Sequence, residues 1–184
     1  MQAAERTEYM PVSDYLAAEE ASEVRHEYLG GMIYAMAGET RAHNTICLNL
    51  AAAIRDRLKN PCKLYMSGVR VNLQIRGDEY FYYPDIVVTC DPRDTHPRIV
   101  QFPKLIIEVL SESTERIDRR EKFLAYTTLD SLDEYVLTAQ DTPEAIIFRR
   151  VSNWAQEKTI GGTGRLGLKS LGLELSVGEL YEGV

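Results

Sequence analysis

Two acidic residues stand where the chain is otherwise strongly apolar. In YYPDIVVTCDP, Asp85 follows Pro84 and directly precedes the apolar run 86–88, and in PKLIIEVLS, Glu108 has two apolar residues on each side. Burying an ionised carboxylate without a partner is costly, so the fold must supply a cation, a cage of hydrogen bonds or a raised pKa. Two such carboxylates in two apolar strands call for one explanation.

A divalent metal ion would account for both carboxylates. If the two strands are neighbours and Asp85 and Glu108 point to the same face, something positive must lie between these like charges. Mg²⁺ and Mn²⁺ take oxygen ligands, commonly one or two carboxylates together with waters and substrate phosphate oxygens. A nearby lysine would orient or deprotonate the water that attacks a phosphodiester. The pattern therefore predicts the hydrolysis of phosphate esters.

Each of these residues also has a purely structural interpretation. An aspartate after proline, as at Asp85, can cap a turn with its side chain. Glu108 could form a buried salt bridge with an arginine. In the basic run TERIDRREK, Asp118 and Lys122 stand four residues apart, so they could form a weak pair on a solvated helix face.

Two further side chains are candidates for a site. His43 lies in the apolar stripe of a predicted helix and so faces inward, either as a satisfied core residue or as a site residue near the start of that helix. Ser111 directly follows the strand that carries Glu108, and its hydroxyl is predicted to support the end of that strand.

The helices and turns before these strands follow from capping residues and periodicity. Ser13 can cap a short helix, and the glycine pair 30–31 marks the turn of a hairpin. Thr40 can cap a helix over about 41–59, which the Asn-Pro pair 60–61 would end. Three apolar residues of this helix fall on one stripe, namely Ile46, Leu50 and Ile54.

Strands dominate the next part of the chain. YMSGVRVNLQI alternates apolar and polar residues, whereas YFYYPDIVVTC and KLIIEVL carry the nearly continuous apolar runs of strands buried on both faces. A second helix, capped by Ser113 or Thr114, is expected to reach about Thr128, and EYVLTA, AIIFRRV and WAQEKTI complete the sheet. The order predicts an α/β (α+β) fold in which a mixed central β-sheet is flanked by helices, with an N-terminal helix and hairpin.

Length and composition are those of a globular protein. The 184 residues, 45% hydrophobic and 27% charged, predict one domain over 1–184. The chain has no apolar run near the roughly 20 residues of a spanning helix and no signal-peptide pattern at its start, so a cytoplasmic location and no membrane partner are expected. Three cysteines without C-x-x-C spacing predict reduced, packed thiols at Cys47, Cys62 and Cys90.

Several segments together resemble a known family. PD before an apolar strand, and E within the next one, are the signature of the PD-(D/E)XK nuclease superfamily, although the lysine of the E-x-K motif is replaced by Leu110. The stretch from YYPDIVVTCDP to FPKLIIEVLSESTERIDRREKFLAYTTLDSLDEYVLTAQD is similar to the restriction-endonuclease-like Uma-two family. HEYLGGMIYAMAG, AHNTICLNLAAAI and LKSLGLELSVGELYEG resemble its opening hairpin, first long helix and closing segment, so the resemblance covers nearly the full chain.

The resemblance implies a set of site residues. Asp85 and Glu108 would be catalytic residues and metal ligands, and Lys122, on the helix after the E-V-L strand, would replace the missing lysine. Glu27 corresponds to an acidic residue that related nucleases supply from an N-terminal element, although a glutamate on a hairpin is often merely exposed. Asp118, His43 and Ser111 would support the site, and three arginines would contact backbone phosphates, namely Arg116, Arg119 and Arg120.

The sequence thus predicts an Mg²⁺- or Mn²⁺-dependent endonuclease that cleaves nucleic acid, with DNA as the expected substrate. It also predicts a homodimer, because two sites related by a two-fold axis cut both strands of a duplex most simply. The alternative is a catalytically inactive nuclease-fold module for binding or dimerisation. Leu110 in the lysine position and the net charge of −7 favour this alternative, since phosphate binding draws on clustered basic residues.

Overall fold

The N-terminal part of the protein forms a helix followed by a hairpin. The computed structural model describes residues 9–111 and 117–184. Helix α1 covers Val12–Ala21, and strands β1 (His26–Leu29) and β2 (Met32–Ala35) pair in antiparallel fashion around the glycine pair. Gly30 and Gly31 have φ angles of 55° and 102°, which glycine adopts without strain, so the predicted turn is confirmed. The predicted Ser13 cap is wrong, because Pro11 occupies the N-cap position and the Ser13 hydroxyl bonds to Asp14.

The long helix α2 covers Arg41–Arg57 and begins as predicted. The Thr40 hydroxyl oxygen accepts a hydrogen bond from the His43 N–H at 3.1 Å, which satisfies one of the free donors of the first turn. The stripe of Ile46, Leu50 and Ile54 is completely buried and packs against the sheet. Capping and packing therefore fix both the start of α2 and the face that it buries.

Strands make up most of the remaining chain. Five of them form one sheet in the order β2-β1-β5-β4-β7, and six form a second in the order β11-β10-β9-β8-β6-β3, while β12 and β13 pair with each other. The bounds are β3 Lys63–Met66, β4 Arg70–Ile75, β5 Asp78–Tyr82, β6 Ile86–Thr89, β7 Ile99–Val100, β8 Pro103–Leu110, β9 Glu134–Ala139, β10 Glu144–Arg149, β11 Gln156–Ile160, β12 Arg165–Leu168 and β13 Leu173–Ser176.

The six-stranded sheet is mixed and buried on both faces at its centre. Strands β6 and β8 pair in antiparallel fashion with Ile86 opposite Ile107, whereas β8 and β9 are parallel. On β8, Ile107 packs with α2 and the C-terminal helix α4 (Val177–Leu180), while Ile106 and Leu110 pack into a second apolar cluster on the other face. Burial on both faces explains the continuous apolar runs of these two strands.

The helix that follows β8 returns over the sheet. A π-helical segment, Ile117–Lys122, runs directly into α3, Phe123–Tyr126, close to the predicted end at Thr128. The predicted caps Ser113 and Thr114 lie outside the described residues. Mixed sheets flanked by helices, with an N-terminal helix and hairpin, confirm the predicted fold class.

The cysteine prediction is wrong for two of the three residues. Cys62 and Cys90 form a disulfide, and only Cys47, among the described residues, is a free and buried thiol. Lys63 pairs with Thr89 across β3 and β6, so the residues just beyond that pair meet at the end of the two strands. This strand pairing is tertiary information that cysteine spacing does not contain. Within the described ranges, no helix is long and apolar enough to span a bilayer.

Candidate functional site

Asp85 and Glu108 lie side by side, at the end where β6 begins. The Asp85 N–H donates to Glu108 Oε2 at 3.2 Å, and the Val109 N–H donates to Asp85 Oδ2 at 2.7 Å. Both side chains are buried, since the two residues are only 7% and 2% exposed. The antiparallel register of β6 and β8 brings them together, so the strands are neighbours as predicted.

Lys122 contacts Glu108 of this pair from the π-helical segment that follows β8. Its Nζ lies 3.2 Å from Glu108 Oε1 and 3.0 Å from Glu27 Oε1, and the residue is buried. Among the described contacts of Glu108, the cation is this lysine. The ammonium group of Lys122 thus points into the site, towards Glu27 and Glu108.

Glu27 enters the site from strand β1. Besides its contact with Lys122, its Oε1 accepts the Tyr83 N–H at 3.4 Å, two residues before Asp85. The Glu27 side chain is 14% exposed, so it is not the solvated hairpin glutamate that its position would also suit. Strands β1 and β8, which are far apart in the sequence, thus both contact Lys122.

Tyr126 is a site residue that the sequence reasoning did not assign. Its hydroxyl donates to Glu108 Oε1 at 3.2 Å. Burial, together with the charges of Glu108 and Glu27, raises the pKa of Tyr126 well above its usual value, so the hydroxyl keeps its proton and remains a donor. The signal was present in the chain, because Tyr126 follows Lys122 by four residues and shares its helix face.

His43 contacts Asp85 from the other side of the sheet. Its Nε2 lies 3.2 Å from Asp85 Oδ2, and its Nδ1 lies 3.4 Å from Glu39 Oε2 and 3.6 Å from Cys47 Sγ. Burial alone would lower the pKa of His43, but the hydrogen bond and charge of Asp85, with the charge of Glu39, raise it above its ordinary value. His43 is thus placed at the carboxylates and not in an isolated apolar core position.

Cys47 extends this group to three potential metal donors. One donor atom from each of His43, Cys47 and Asp85 lies within 4.8 Å of the others. Burial, with the charges of Asp85 and Glu39, raises the pKa of the Cys47 thiol. A thiol must lose its proton to bind a metal, so this environment favours the oxygen and nitrogen donors over the sulfur.

The described donor set fits a hard divalent ion. Glu108 and Glu27 contact Lys122, and Asp85 lies beside Glu108 and contacts His43, so three carboxylates lie around one described lysine. Asp85 Oδ1 has no hydrogen-bond partner among the described residues, since the contacts of this carboxylate are made through Oδ2. Carboxylate oxygens are the ligands that Mg²⁺ and Mn²⁺ prefer.

The remaining predicted residues lie around this centre. Ser111 is half-buried directly after β8, Arg119 is half-buried and Arg120 is exposed. Asp118 belongs to the π-helical segment, but its side-chain surroundings lie outside what the structure describes, as does Arg116 altogether. Ser111, Asp118 and the three arginines therefore stay predictions.

The fold and the family comparison agree on a class of protein. The described fold consists of helices packed on mixed sheets, and two acidic residues, Asp85 and Glu108, meet where two neighbouring strands pair. Residues 12–178 match the model of the Uma2 (Uma-two) family, whose description is "Putative restriction endonuclease". The chain belongs to this family.

Relatives and a solved structure agree with this assignment. Two proteins of Synechocystis sp. PCC 6803 are similar: uncharacterized protein slr1290 is 34% identical over 93% of this chain and 90% of its own length, and uncharacterized protein sll1609 is 32% identical over 73% and 77%. A crystal structure titled as "a putative nuclease belonging to DUF820" from Anabaena variabilis superposes with a TM-score of 0.71 at 18% identity, covering 94% of this chain and 98% of that one. This last likeness shows the fold.

Proposed function

We propose that the protein is an Mg²⁺- or Mn²⁺-dependent endonuclease that hydrolyses phosphodiester bonds of nucleic acid, with DNA as the first substrate to test. The observation that carries the proposal is the position of Lys122 Nζ, 3.2 Å from Glu108, whose Oε2 in turn accepts the Asp85 N–H. In this proposal, Lys122 performs the role of the motif lysine, because the lysine position of the E-x-K motif holds Leu110. Membership in a restriction-endonuclease-like family supports the same activity.

Asp85 and Glu108 would hold the metal ion. Both are buried, and their neighbouring strands keep the carboxylates at a fixed separation without any reorganisation on binding. The chemistry that such an ion supplies when bound is Lewis-acid polarisation of a phosphoryl oxygen. His43 orients Asp85 through the contact to Oδ2, and Tyr126 orients Glu108 through the hydrogen bond to Oε1, as supporting residues do around metal ligands.

Lys122 would position the attacking water. Its Nζ is held between Glu27 and Glu108, so the ammonium group has one preferred place next to the carboxylates. From there it can donate a hydrogen bond to the water or to the developing charge on the phosphoryl group, and Glu27 or Glu108 is within reach to accept a proton. These are the roles that phosphodiester hydrolysis needs from the protein.

The first test is calorimetric titration of Mn²⁺ into the wild type, Glu108→Gln and Lys122→Met, followed by a plasmid cleavage assay. We expect Glu108→Gln to lose metal binding and cleavage, and Lys122→Met to bind Mn²⁺ but to cleave at least about 100-fold more slowly. Glu174→Gln is the matched control, because it makes the same chemical change at a side chain that is 65% exposed and pairs with Arg165.

Two results would overturn the proposal. Cleavage that persists in Glu108→Gln would remove Glu108 from the mechanism. If the wild type binds no Mn²⁺ even with DNA present, the inactive binding or dimerisation module becomes the better description. Circular dichroism of each variant separates loss of function from loss of fold.

A further inference from the structure

A polar cavity lies on the side of the N-terminal helix α1. It has a volume of about 220 Å³ and is bordered by α1, the chain entering β1 and the turn before β4. Three arginines line it, Arg25, Arg70 and Arg98, together with Glu19, Glu20 and Tyr83. In a chain with a net charge of −7, three arginines around one cavity form a local concentration of positive charge.

Arg70 is the unusual member of this group, because it is buried without a counter-ion. The residue is 3% exposed, and no carboxylate in the described part of the chain forms an ion pair with it. Its Nη1 atom is enclosed and has no hydrogen-bond partner. A buried charge of this kind is costly unless it is paired.

Aromatic rings hold the Arg70 side chain in place. The guanidinium carbon lies 5.7 Å from the centre of the Tyr15 ring and 6.0 Å from the centres of the Phe81 and Tyr83 rings. Arg70 also lowers the pKa of Tyr15, although burial outweighs it and raises that pKa to about 12. Ring contacts stabilise a cation only partly, so the packing fixes the orientation of Arg70 and leaves its charge available for an anion.

The glutamates of the cavity do not supply that anion. Both oxygens of Glu19 are engaged, since Oε1 accepts from the His26 N–H at 2.9 Å and from the Tyr83 hydroxyl at 2.8 Å, and Oε2 contacts His26 Nδ1 at 3.0 Å. Glu20 is exposed at the rim. With three arginines and two glutamates, the cavity keeps an excess of positive charge.

The cavity is connected to the carboxylate site through one residue. The hydroxyl of Tyr83 binds Glu19 at the cavity, while its backbone N–H donates to Glu27 in the site. Asp85 follows two residues later in the chain. An anion in the cavity would therefore lie close to the place where a phosphodiester is proposed to be cut.

We infer that this cavity binds a phosphate group, with Arg70 as the buried ligand and Arg25 and Arg98 as exposed ones. Arginine forks match the oxygens of a phosphate, and several forks around one cavity suit its multiple acceptors. The phosphate can come from the backbone of a nucleic acid beside the cleaved bond or from a free phosphate ester. The first source rests on the proposed function, whereas the phosphate site itself does not.

The test uses inorganic phosphate as the probe, in the presence of EDTA so that no metal site contributes. Calorimetric titration compares the wild type with Arg98→Gln, and Arg165→Gln serves as the matched control, because both arginines are exposed and both changes remove one charge. We expect the phosphate affinity to fall about tenfold or more in Arg98→Gln and to stay unchanged in Arg165→Gln. No phosphate binding in the wild type, or equal affinities in all three proteins, would overturn the inference.

A second titration with a short DNA duplex, again in EDTA, identifies the source of the phosphate. If Arg98→Gln weakens both phosphate and DNA binding, the cavity holds a backbone phosphate. If it weakens phosphate binding alone, the phosphate site stands and its ligand is a free phosphate ester. DNA binding without phosphate binding would refute the phosphate site but leave the proposed nuclease intact, so the two ideas fail separately.

Discussion

At the scale of single residues, two of the buried cations among the described residues are in opposite situations. Lys122 lies between Glu27 and Glu108, whereas Arg70 packs on aromatic rings with no carboxylate partner among the described residues. The paired cation can organise carboxylates around a metal ion, and the one without a counter-ion can attract an anion. Both arrangements place positive charge in the interior of a protein whose net charge is −7.

The hydrogen bond from Tyr126 to Glu108 gives a prediction about how the site is held. Tyr126→Phe removes only the hydroxyl, so the packing of the ring is retained while one donor to Glu108 Oε1 is lost. We expect the variant to lose about 1 kcal/mol of unfolding free energy in urea and to bind Mn²⁺ more weakly. Tyr34→Phe is the control, since Tyr34 is exposed and should change stability by less than about 0.5 kcal/mol. Unchanged stability and metal affinity in Tyr126→Phe would show that this hydrogen bond does not position Glu108.

At the scale of elements, the site depends on how two helices approach the same pair of strands. Helix α2 brings His43 to Asp85 from one side, and the segment from Ile117 to Tyr126 brings Lys122 to Glu108 from the other. The first part of that segment is π-helical, a rare conformation that is frequent at functional sites. The strands therefore fix the carboxylates, and the helices supply the groups that orient them.

The start of α2 can be tested through its cap. Thr40 accepts the His43 N–H, so it stabilises the helix and also places the histidine that contacts Asp85. We expect Thr40→Ala to cost about 1 kcal/mol in thermal or urea unfolding and to reduce Mn²⁺ affinity, while Thr40→Ser keeps the hydroxyl and both properties. Equal stability of the two variants would mean that the cap does not hold the helix.

At the scale of the whole molecule, the chain contains a disulfide bond that its sequence did not suggest. The Cys62–Cys90 disulfide joins residues 28 positions apart at the end of β3 and β6, opposite to the end where Asp85 lies. A cross-link of this kind stabilises mainly by restricting the unfolded chain. The carboxylate site and the cross-link thus share strand β6.

The cross-link gives a prediction for global stability. Cys62→Ser is expected to lower the free energy of unfolding by about 3 kcal/mol, because the closed loop no longer restricts the unfolded state. Dithiothreitol should lower the free energy of unfolding of the wild type by a similar amount. It should leave the free energy of unfolding of Cys62→Ser unchanged. The same response in both proteins, or three titratable thiols in the denatured wild type without reductant, would show that the cysteines are reduced.

The predicted homodimer also belongs to this scale and stays a prediction. Sedimentation of the protein with and without a DNA duplex measures it directly. A dimer that forms on the duplex would fit cleavage of both strands by two sites related by a two-fold axis.

The sequence by itself determined the parts of this protein that depend on neighbouring residues. Apolar runs identified β6 and β8 and marked Asp85 and Glu108 within them, and Thr40 marked the start of α2, because periodicity and capping act over a few residues. The same local reasoning failed at Ser13, where Pro11 takes the cap position and the helix still forms. Capping preferences are small compared with the packing of a helix face.

Only the tertiary structure decided which distant residues meet. Lys122 and Glu27 are 95 positions apart in the numbering, yet they touch, and Cys62 reaches Cys90. The sequence likewise does not reveal that Arg70 Nη1 is enclosed without a hydrogen-bond partner among the described residues, since this depends on every element around the side chain. Such contacts follow from strand register and helix packing, which combine many weak interactions across the chain. The spacing of residue types in the sequence therefore does not reveal which individual pairs will meet.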